Sequence, residues 1–210
     1  MSADRLVDAI VADGIRDRRV IRAFREVDRA GFVPPDQRAA ADDDRPIPIP
    51  HGQVTTQPSL VARMVEGLGL AGDERVLEVG TGYGFQTAIL AALAGEVWSV
   101  ERWPDLAEAA SRNLASAGVG RVHVLVGDGT DGLSEHAPYD AVIVSAAFPH
   151  VPPPLAEQLA EGGRLVMPIG PGGMEEVVLF EKRDGRLVER RMLTGASFVR
   201  LIGRHGAAED

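Results

Sequence analysis

Residues 75–84 read Arg-Val-Leu-Glu-Val-Gly-Thr-Gly-Tyr-Gly, and this stretch decides the fold. A short apolar run ends in three alternate glycines, and a helical pattern follows near residues 84–94. Glycines at the end of a buried strand allow a tight turn and let backbone N–H groups approach a ligand closely. They would also suit a tight turn that binds nothing. The stretch therefore predicts the first crossover of a parallel sheet, where such folds bind cofactors.

The same alternation of strand and helix continues toward the C-terminus. Continuous apolar strands separated by helical windows are typical of a parallel sheet covered on both faces. Asp184-Gly185 is a strong hairpin signal between two further strands, and residues 198–202 are consistent with one more. We predict a doubly wound, Rossmann-like α/β fold whose mostly parallel sheet carries an antiparallel C-terminal hairpin. The predicted strands are 75–80, 96–101, 121–126, 140–145, 163–169, 175–182 and 186–193, and the helices 84–94, 104–117 and 153–161.

The N-terminal part has a different pattern. Apolar spacings of three and four predict two short helices within residues 1–33, closed by Gly14 and Gly31. Prolines make residues 34–58 irregular and extended, and Ser59 is predicted to cap a helix that runs to Leu68. We interpret residues 1–58 as a helical and loop extension that forms part of an acceptor site, and residues 59–210 as the ligand-binding unit, within one structural domain overall.

Composition narrows the classes of function. The chain has 22 Lys and Arg against 31 Asp and Glu, a net charge of −9, which disfavours nucleic acid and anionic membranes as partners. It has no cysteine, so it has neither a thiolate nucleophile nor a thiolate-zinc site, and its five histidines lack the spacing of metal ligands. We therefore expect no bound metal. Acidic residues near the start and the lack of a long apolar run predict a cytoplasmic protein. We expect a monomer.

Three carboxylates stand at or near the ends of successive predicted strands. Glu78 precedes the glycines and suits a cationic ligand group, whereas Glu101 can accept both hydroxyls of a ribose. Asp128 lies between two glycines and can accept from an exocyclic amine. Each alone could be a solvated strand end. Together they indicate a ligand that has an ammonium group, a ribose and a base.

This set resembles the class I S-adenosylmethionine-dependent methyltransferases. The resemblance implies S-adenosylmethionine as cofactor, with Glu78 near the methionine amino group, Glu101 on the ribose and Asp128 at the adenine. The other cofactor-binding residues that it implies are Gly80, Thr81, Gly82, Gly84, Gln86, Gly129 and Ser145.

Two further stretches distinguish among methyltransferases. Ser145-Ala-Ala-Phe148 replaces the Asn/Asp-Pro-Pro-Tyr/Phe motif of base N-methyltransferases. His51-Gly-Gln-Val-Thr-Thr-Gln-Pro58 resembles the Gly-Gln-Thr-Ile-Ser-Gln-Pro signature of the protein-L-isoaspartate (D-aspartate) O-methyltransferases. The likeness covers nearly the whole chain, from Arg29–Pro35 to the closing Phe198-Val-x-Leu201.

The family resemblance implies transfer of a methyl group to the free α-carboxylate of an isoaspartyl residue in a damaged protein or peptide. Such a carboxylate has a pKa near 3.5 and is ionised at neutral pH, so no general base is needed. Thr56 stands where the family has its active-site serine and is the predicted catalytic residue, while the position after Ala-Ala-x-Pro, commonly acidic in the family, is His150. The predicted substrate-binding residues are His51, Gln53, Val54, Thr55 and Gln57.

These two departures leave alternatives open. The chain could esterify an Asp or C-terminal carboxylate of one biosynthetic peptide, or bind the donor without turnover. The Thr56 hydroxyl could also serve only to cap the following helix. A dinucleotide-dependent oxidoreductase fits the glycine spacing less well.

Overall fold

The computed structural model describes residues 2–209 and contains a seven-stranded sheet. The sheet strands are β3 (Arg75–Val79), β4 (Glu96–Glu101), β5 (Val122–Val126), β6 (Tyr139–Val144), β7 (Leu159–Ile169), β8 (Glu175–Arg183) and β9 (Arg186–Ala196). Their order in the sheet is β5-β4-β3-β6-β7-β8-β9. The pairs from β5 to β7 are parallel, and β7-β8 and β8-β9 are antiparallel. This is the predicted fold, including the C-terminal hairpin across Asp184-Gly185.

Helices pack around the sheet because successive strand residues face opposite sides. Val76 and Ile143 lie in one apolar cluster, together with residues of the N-terminal helices, whereas Leu77 and Val144 lie in a second cluster. The N-terminal segment therefore shares a core with the sheet. The division into residues 1–58 and 59–210 stays a prediction. The first residue of the first segment, Met1, and the last residue of the second, Asp210, lie outside the described residues. The helices are α1 (Ser2–Ala12), α2 (Arg18–Glu26), α3 (Pro58–Leu68), α4 (Phe85–Ala91), α5 (Pro104–Ser116) and α6 (Pro153–Gln158).

Most predicted bounds hold within one or two residues, but the ends of α4 and α6 were wrong, and α4 ends at Ala91 rather than at residue 94. Helix α6 ends at Gln158 rather than at residue 161, and β7 begins at Leu159, which pairs with Tyr139. The Gln158 amide accepts from the backbone N–H of Leu133 and donates to the carbonyl of Asp131, both at 2.8 Å. This long-range pairing is invisible in a local apolar pattern. Similarly, the predicted strand at 198–202 is reduced to isolated bridges.

Two predicted helix boundaries in the N-terminal part were also wrong. The second helix ends at Glu26, and Gly31 lies in a short 3₁₀ helix that the Asp28 side chain starts by accepting from the N–H of Ala30. Ser59 does not cap α3, which begins one residue earlier at Pro58, a residue suited to the first helical position. Instead, the Ser59 N–H donates to Asp44 Oδ1 at 2.8 Å, so a distant carboxylate serves this helix end.

The proline-rich segment folds back on itself as a small hairpin that the sequence did not predict. Strands β1 (Ile47–Ile49) and β2 (Gln53–Thr55) are antiparallel, and we call residues 47–55 the acceptor hairpin. His51 and Gly52 at its tip have φ of 62° and 66°. Left-handed backbone is uncommon outside glycine, although histidine is among the residues that adopt it more readily. Within residues 2–209, no helix has the length and apolar character needed to span a membrane.

Candidate active site

The site lies where the strand order of the sheet reverses. The chain runs outward from β3 to β4 and β5 and then returns to place β6 on the other side of β3. Ligands of open α/β sheets bind at this point, beyond the carboxyl ends of the strands. Here those ends carry Gly80 after β3, Glu101 at the end of β4 and Ser145 after β6.

A cavity opens above these strand ends, and a second cavity adjoins it. They share Gln53, Gly80, Glu101, Ser145 and Val199, so we treat them as one donor cavity. Its other predicted site residues are Val54, Thr55, Thr56, Thr81, Gly82, Gln86 and Gly129.

Glu101 is the buried carboxylate on the cavity wall. Its oxygens accept from the N–H of Gly82 at 2.9 Å and from the N–H of Trp103 at 3.0 Å. Burial raises the pKa of Glu101, and these backbone donors oppose the shift. A carboxylate held by two N–H groups keeps lone pairs for further donors, which suits a vicinal diol.

Glu78 lies beneath the cavity and not on its wall. Its side chain is fully buried and accepts from Gln86 Nε2 at 2.9 Å and from the hydroxyls of Thr87 and Ser99 at 2.6 Å each. Burial raises the pKa of Glu78 to about 7, against the effect of these hydrogen bonds. Glu78 therefore contacts the cavity through Gln86.

Gln86 carries an unsatisfied acceptor at the cavity wall. Its Nε2 donates to Glu78 and to the Ser145 hydroxyl, both at 2.9 Å. Its Oε1 is buried and has no hydrogen-bond partner among the described residues. Buried acceptors without a partner are rare and costly. An N–H group of a bound ligand would satisfy this one.

Arg29 is a buried side chain that binds the C-terminal end of the acceptor hairpin. The sequence did not indicate a role for it. Its side chain is 1% exposed and lies 5.6 Å from the ring centre of Phe85, the first residue of α4. It donates to the Thr55 hydroxyl at 3.0 Å and to the Thr56 carbonyl at 3.4 Å. Burial lowers the pKa of Arg29 to about 10. Further Arg29 bonds go to the carbonyls of Ala41, Asp43 and Arg45.

Thr56 lines both the donor cavity and a further cavity, which we call the outer groove. One wall of the groove is formed by Pro46, Gln57 and Leu60, and the other by residues 195–199. Val54, Thr56, Ser145 and Val199 line both spaces. A group entering from the groove would therefore meet the donor cavity beside Thr56.

Four predicted site residues do not line the donor cavity or the outer groove, although one of them, Asp128, lines an adjoining cavity with Arg102 and Ile202, which also line the donor cavity. His51 packs on Trp103, and Gly84 starts α4 against Leu114. Glu78 is buried below, as described. Asp128 accepts from the N–H and hydroxyl of Thr130 and from the N–H of Arg204, which lower its pKa against the effect of burial.

Other residues belong to the site but were not predicted. The donor cavity is also lined by Ile49, Val61, Val79, Tyr83, Phe85, Val100, Arg102, Leu106, Ala146, Val199, Arg200, Leu201 and Ile202. Apart from Tyr83 and the two arginines these residues are apolar, and they gave no signal beyond that of core residues.

The switch-point cavity, the glycine loop and the buried Glu101 define a Rossmann-like methyltransferase of class I. Comparison with known proteins identifies the family within this class. A model of the protein-L-isoaspartate(D-aspartate) O-methyltransferase family matches residues 1–206. The chain belongs to this family.

Individual relatives agree with the family match. A protein-L-isoaspartate O-methyltransferase from Methanoculleus marisnigri is 51% identical over 197 residues, which cover 94% of this chain and 89% of that protein. One from Anaeromyxobacter dehalogenans is 57% identical over 175 residues, covering 82% and 84% of the two chains.

Solved structures show the same fold. A protein-L-isoaspartate O-methyltransferase superposes with a TM-score of 0.85 at 30% identity, over 97% of this chain and 67% of that one. A Plasmodium falciparum homologue solved with S-adenosyl-L-homocysteine has a TM-score of 0.81 at 22% identity, over 94% and 96% of the two chains.

Proposed function

We propose that this chain is an S-adenosylmethionine-dependent carboxyl O-methyltransferase acting on the α-carboxylate of L-isoaspartyl residues in damaged proteins or peptides. One observation carries the proposal beyond family membership. Among the described residues that line the donor cavity there is no His, Lys or Cys, and Glu101 is the one carboxylate. Because Glu101 is held by backbone N–H groups, it is not placed as a base. An acceptor that is already ionised at neutral pH needs none.

The residues present fit the donor. S-Adenosylmethionine supplies a methyl group made electrophilic by the sulfonium charge. Glu101 would hold the ribose hydroxyls, and the orphaned Gln86 Oε1 would accept from the ammonium group. Gly80 and Gly82 have φ of 95° and 56°, which lets the loop backbone approach the ligand without a side chain in the way.

On the acceptor side, the role of the chain would be to orient the substrate carboxylate, and no acid or base would be required. Thr56 would orient the carboxylate with its hydroxyl at the boundary between the outer groove and the donor cavity. Arg29 and the hairpin fix that boundary. Holding two reactants in line contributes up to about 7–11 kcal/mol to lowering a barrier, so positioning alone is a sufficient role.

The experiment is transfer of a labelled methyl group to an isoaspartyl peptide, followed by treatment of the product at alkaline pH. Release of volatile methanol would show a methyl ester and so a carboxylate acceptor. Label that stays on the peptide would indicate N-methylation, and no label at all would indicate a donor-binding module.

The proposal also includes predictions on the roles of Asp128 and Gln57 and on where and with what partners the protein acts. Asp128 is expected to serve the adenine end, where its hold on Thr130 and Arg204 shapes the loop that contains Gly129. Gln57 lines the outer groove and is expected to contact the peptide. Action in the cytoplasm, as a monomer and without nucleic acid or membrane, stays a prediction from the sequence.

A further inference from the structure

The tip of the acceptor hairpin is attached to the donor side of the site by a stacked pair of rings. The His51 imidazole lies parallel to the Trp103 indole, with ring centres 3.9 Å apart and planes inclined by 5°. His51 Nε2 is 2.9 Å from both carboxylate oxygens of Asp105. The hydrogen bond with His51 is the main cause that lowers the pKa of Asp105. The ring thus has two partners, both near the start of α5.

Trp103 is joined directly to the carboxylate of the donor cavity. Its backbone N–H donates to Glu101 Oε1, while Oε2 of the same carboxylate accepts from Gly82 in the glycine loop. An added Cβ on Gly82 would lie 3.5 Å from Cδ1 of Ile49, so the hairpin also packs on that loop. A short chain of contacts therefore runs from the hairpin tip to Glu101.

His51 adopts a backbone conformation that glycine would adopt without strain. Its φ of 62° is left-handed, and the side chain is 31% exposed, so burial in an apolar core does not explain a histidine here. The ring contacts with Trp103 and Asp105 do explain it.

We propose that His51 and Trp103 are positioning residues that hold the acceptor hairpin over the donor cavity. The pair acts through the hairpin, which carries Thr55 at its end and Thr56 directly after it. This inference rests on the proposed function, because Thr56 is taken to face the acceptor carboxylate. Loss of the stack frees the hairpin tip while Glu101 and the glycine loop stay in place.

The test compares His51→Asn with His123→Asn. Asparagine tolerates left-handed backbone but is too short to replace Nε2 at Asp105, so the first change removes the ring stack and the hydrogen bond together while the backbone conformation is kept. His123 is the matched control: it also stacks on a tryptophan, Trp98, with ring centres 4.0 Å apart, and lies 3.1 Å from a carboxylate oxygen of Glu96. It lies near the opposite end of β4 from the cavity.

We expect His51→Asn to raise the KM for the peptide about 3- to 10-fold, the range that corresponds to the loss of one aromatic stack. The Kd for S-adenosylhomocysteine should stay within about twofold. Amide hydrogen exchange of residues 47–55 should become faster. His123→Asn should change none of the three.

Two results would overturn the proposal. One is hairpin exchange that is the same in wild type and His51→Asn; the other is an equal KM in the two variants. Hydrogen exchange needs no acceptor, so it tests the pairing even if the wild-type protein fails to methylate an isoaspartyl peptide, which would instead refute the proposed function. A Trp98→Phe background leaves Trp103 as the one tryptophan, and its emission should rise when His51 is replaced.

Discussion

Arg29 donates a 3.0 Å hydrogen bond to the hydroxyl of Thr55, across 26 positions of sequence. Through this bond the N-terminal segment fixes the end of the acceptor hairpin, and the same guanidinium lies against Phe85 at the start of α4. The acceptor side and the glycine-loop helix are therefore held by one buried side chain.

Replacing Arg29 with lysine should lower the free energy of unfolding by about 2 kcal/mol or more, because an ammonium cannot match the fork of a guanidinium and leaves buried acceptors unpaired. The KM for the peptide should rise more than the Kd for the donor. Chemical unfolding and steady-state kinetics measure both. Arg22→Lys is the control. The Arg22 side chain is exposed, and in the described part of the chain its ion pair is with Glu26. Equal effects of the two changes would refute this role.

Thr56→Ala should lower kcat on an isoaspartyl peptide about 10- to 100-fold, because the acceptor loses the hydroxyl that orients it. Thr56→Ser keeps the hydroxyl and should restore most of the turnover. Donor Kd, measured by calorimetry, should be the same in all three proteins. Unchanged turnover in Thr56→Ala would show that the hydroxyl does not orient the acceptor.

Glu101→Gln should weaken donor binding about 10- to 100-fold, since hydrogen bonds to a charged acceptor are replaced by bonds to a neutral amide. The control is Glu96→Gln at the start of the same strand, where the carboxylate binds Arg75 and His123. Calorimetric titration with S-adenosylhomocysteine measures the Kd of the two variants. If the Glu96 variant loses as much affinity as the Glu101 variant, the strand and not the carboxylate is responsible.

Glu78 should make stability depend on pH. Its pKa of about 7 in the folded protein exceeds the ordinary value of 4.5, so between these values the folded state keeps a proton that the unfolded chain releases. Stability from this group is present below pH 4.5 and is lost as the pH rises through 7. Relative to Glu78→Gln, the wild-type protein should lose about 2–3 kcal/mol of its free energy of unfolding between pH 5 and pH 8. A difference that stays constant over this range would mean that Glu78 is ionised throughout.

The sheet was predictable because its strands are continuous apolar runs. Val76, Val142 and Val166 each face a covered side of the sheet, and such runs between helical windows specify parallel strands locally. Glu101 and Gly82 were predictable for the same reason, because strand ends of one parallel sheet meet at one edge.

The sequence could not show contacts that depend on distant partners. Asp44 serves the start of α3 from 15 positions away, and Gln158 ends α6 by bonds to Asp131 and Leu133. Motif resemblance predicted His51 as a substrate-binding residue, and the structure adds that its ring stacks on Trp103. Because a motif fixes chain position but not side-chain direction, the direction of that ring had to come from the structure.

The central claim is that this chain methylates the α-carboxylate of isoaspartyl residues. Its most direct test is labelled methyl transfer to two synthetic peptides of one sequence, one with L-isoaspartate and one with normal L-aspartate at the same position. We expect label on the isoaspartyl peptide and none above background on its twin. Equal labelling of both peptides, or labelling of the aspartyl peptide alone, would contradict the claim.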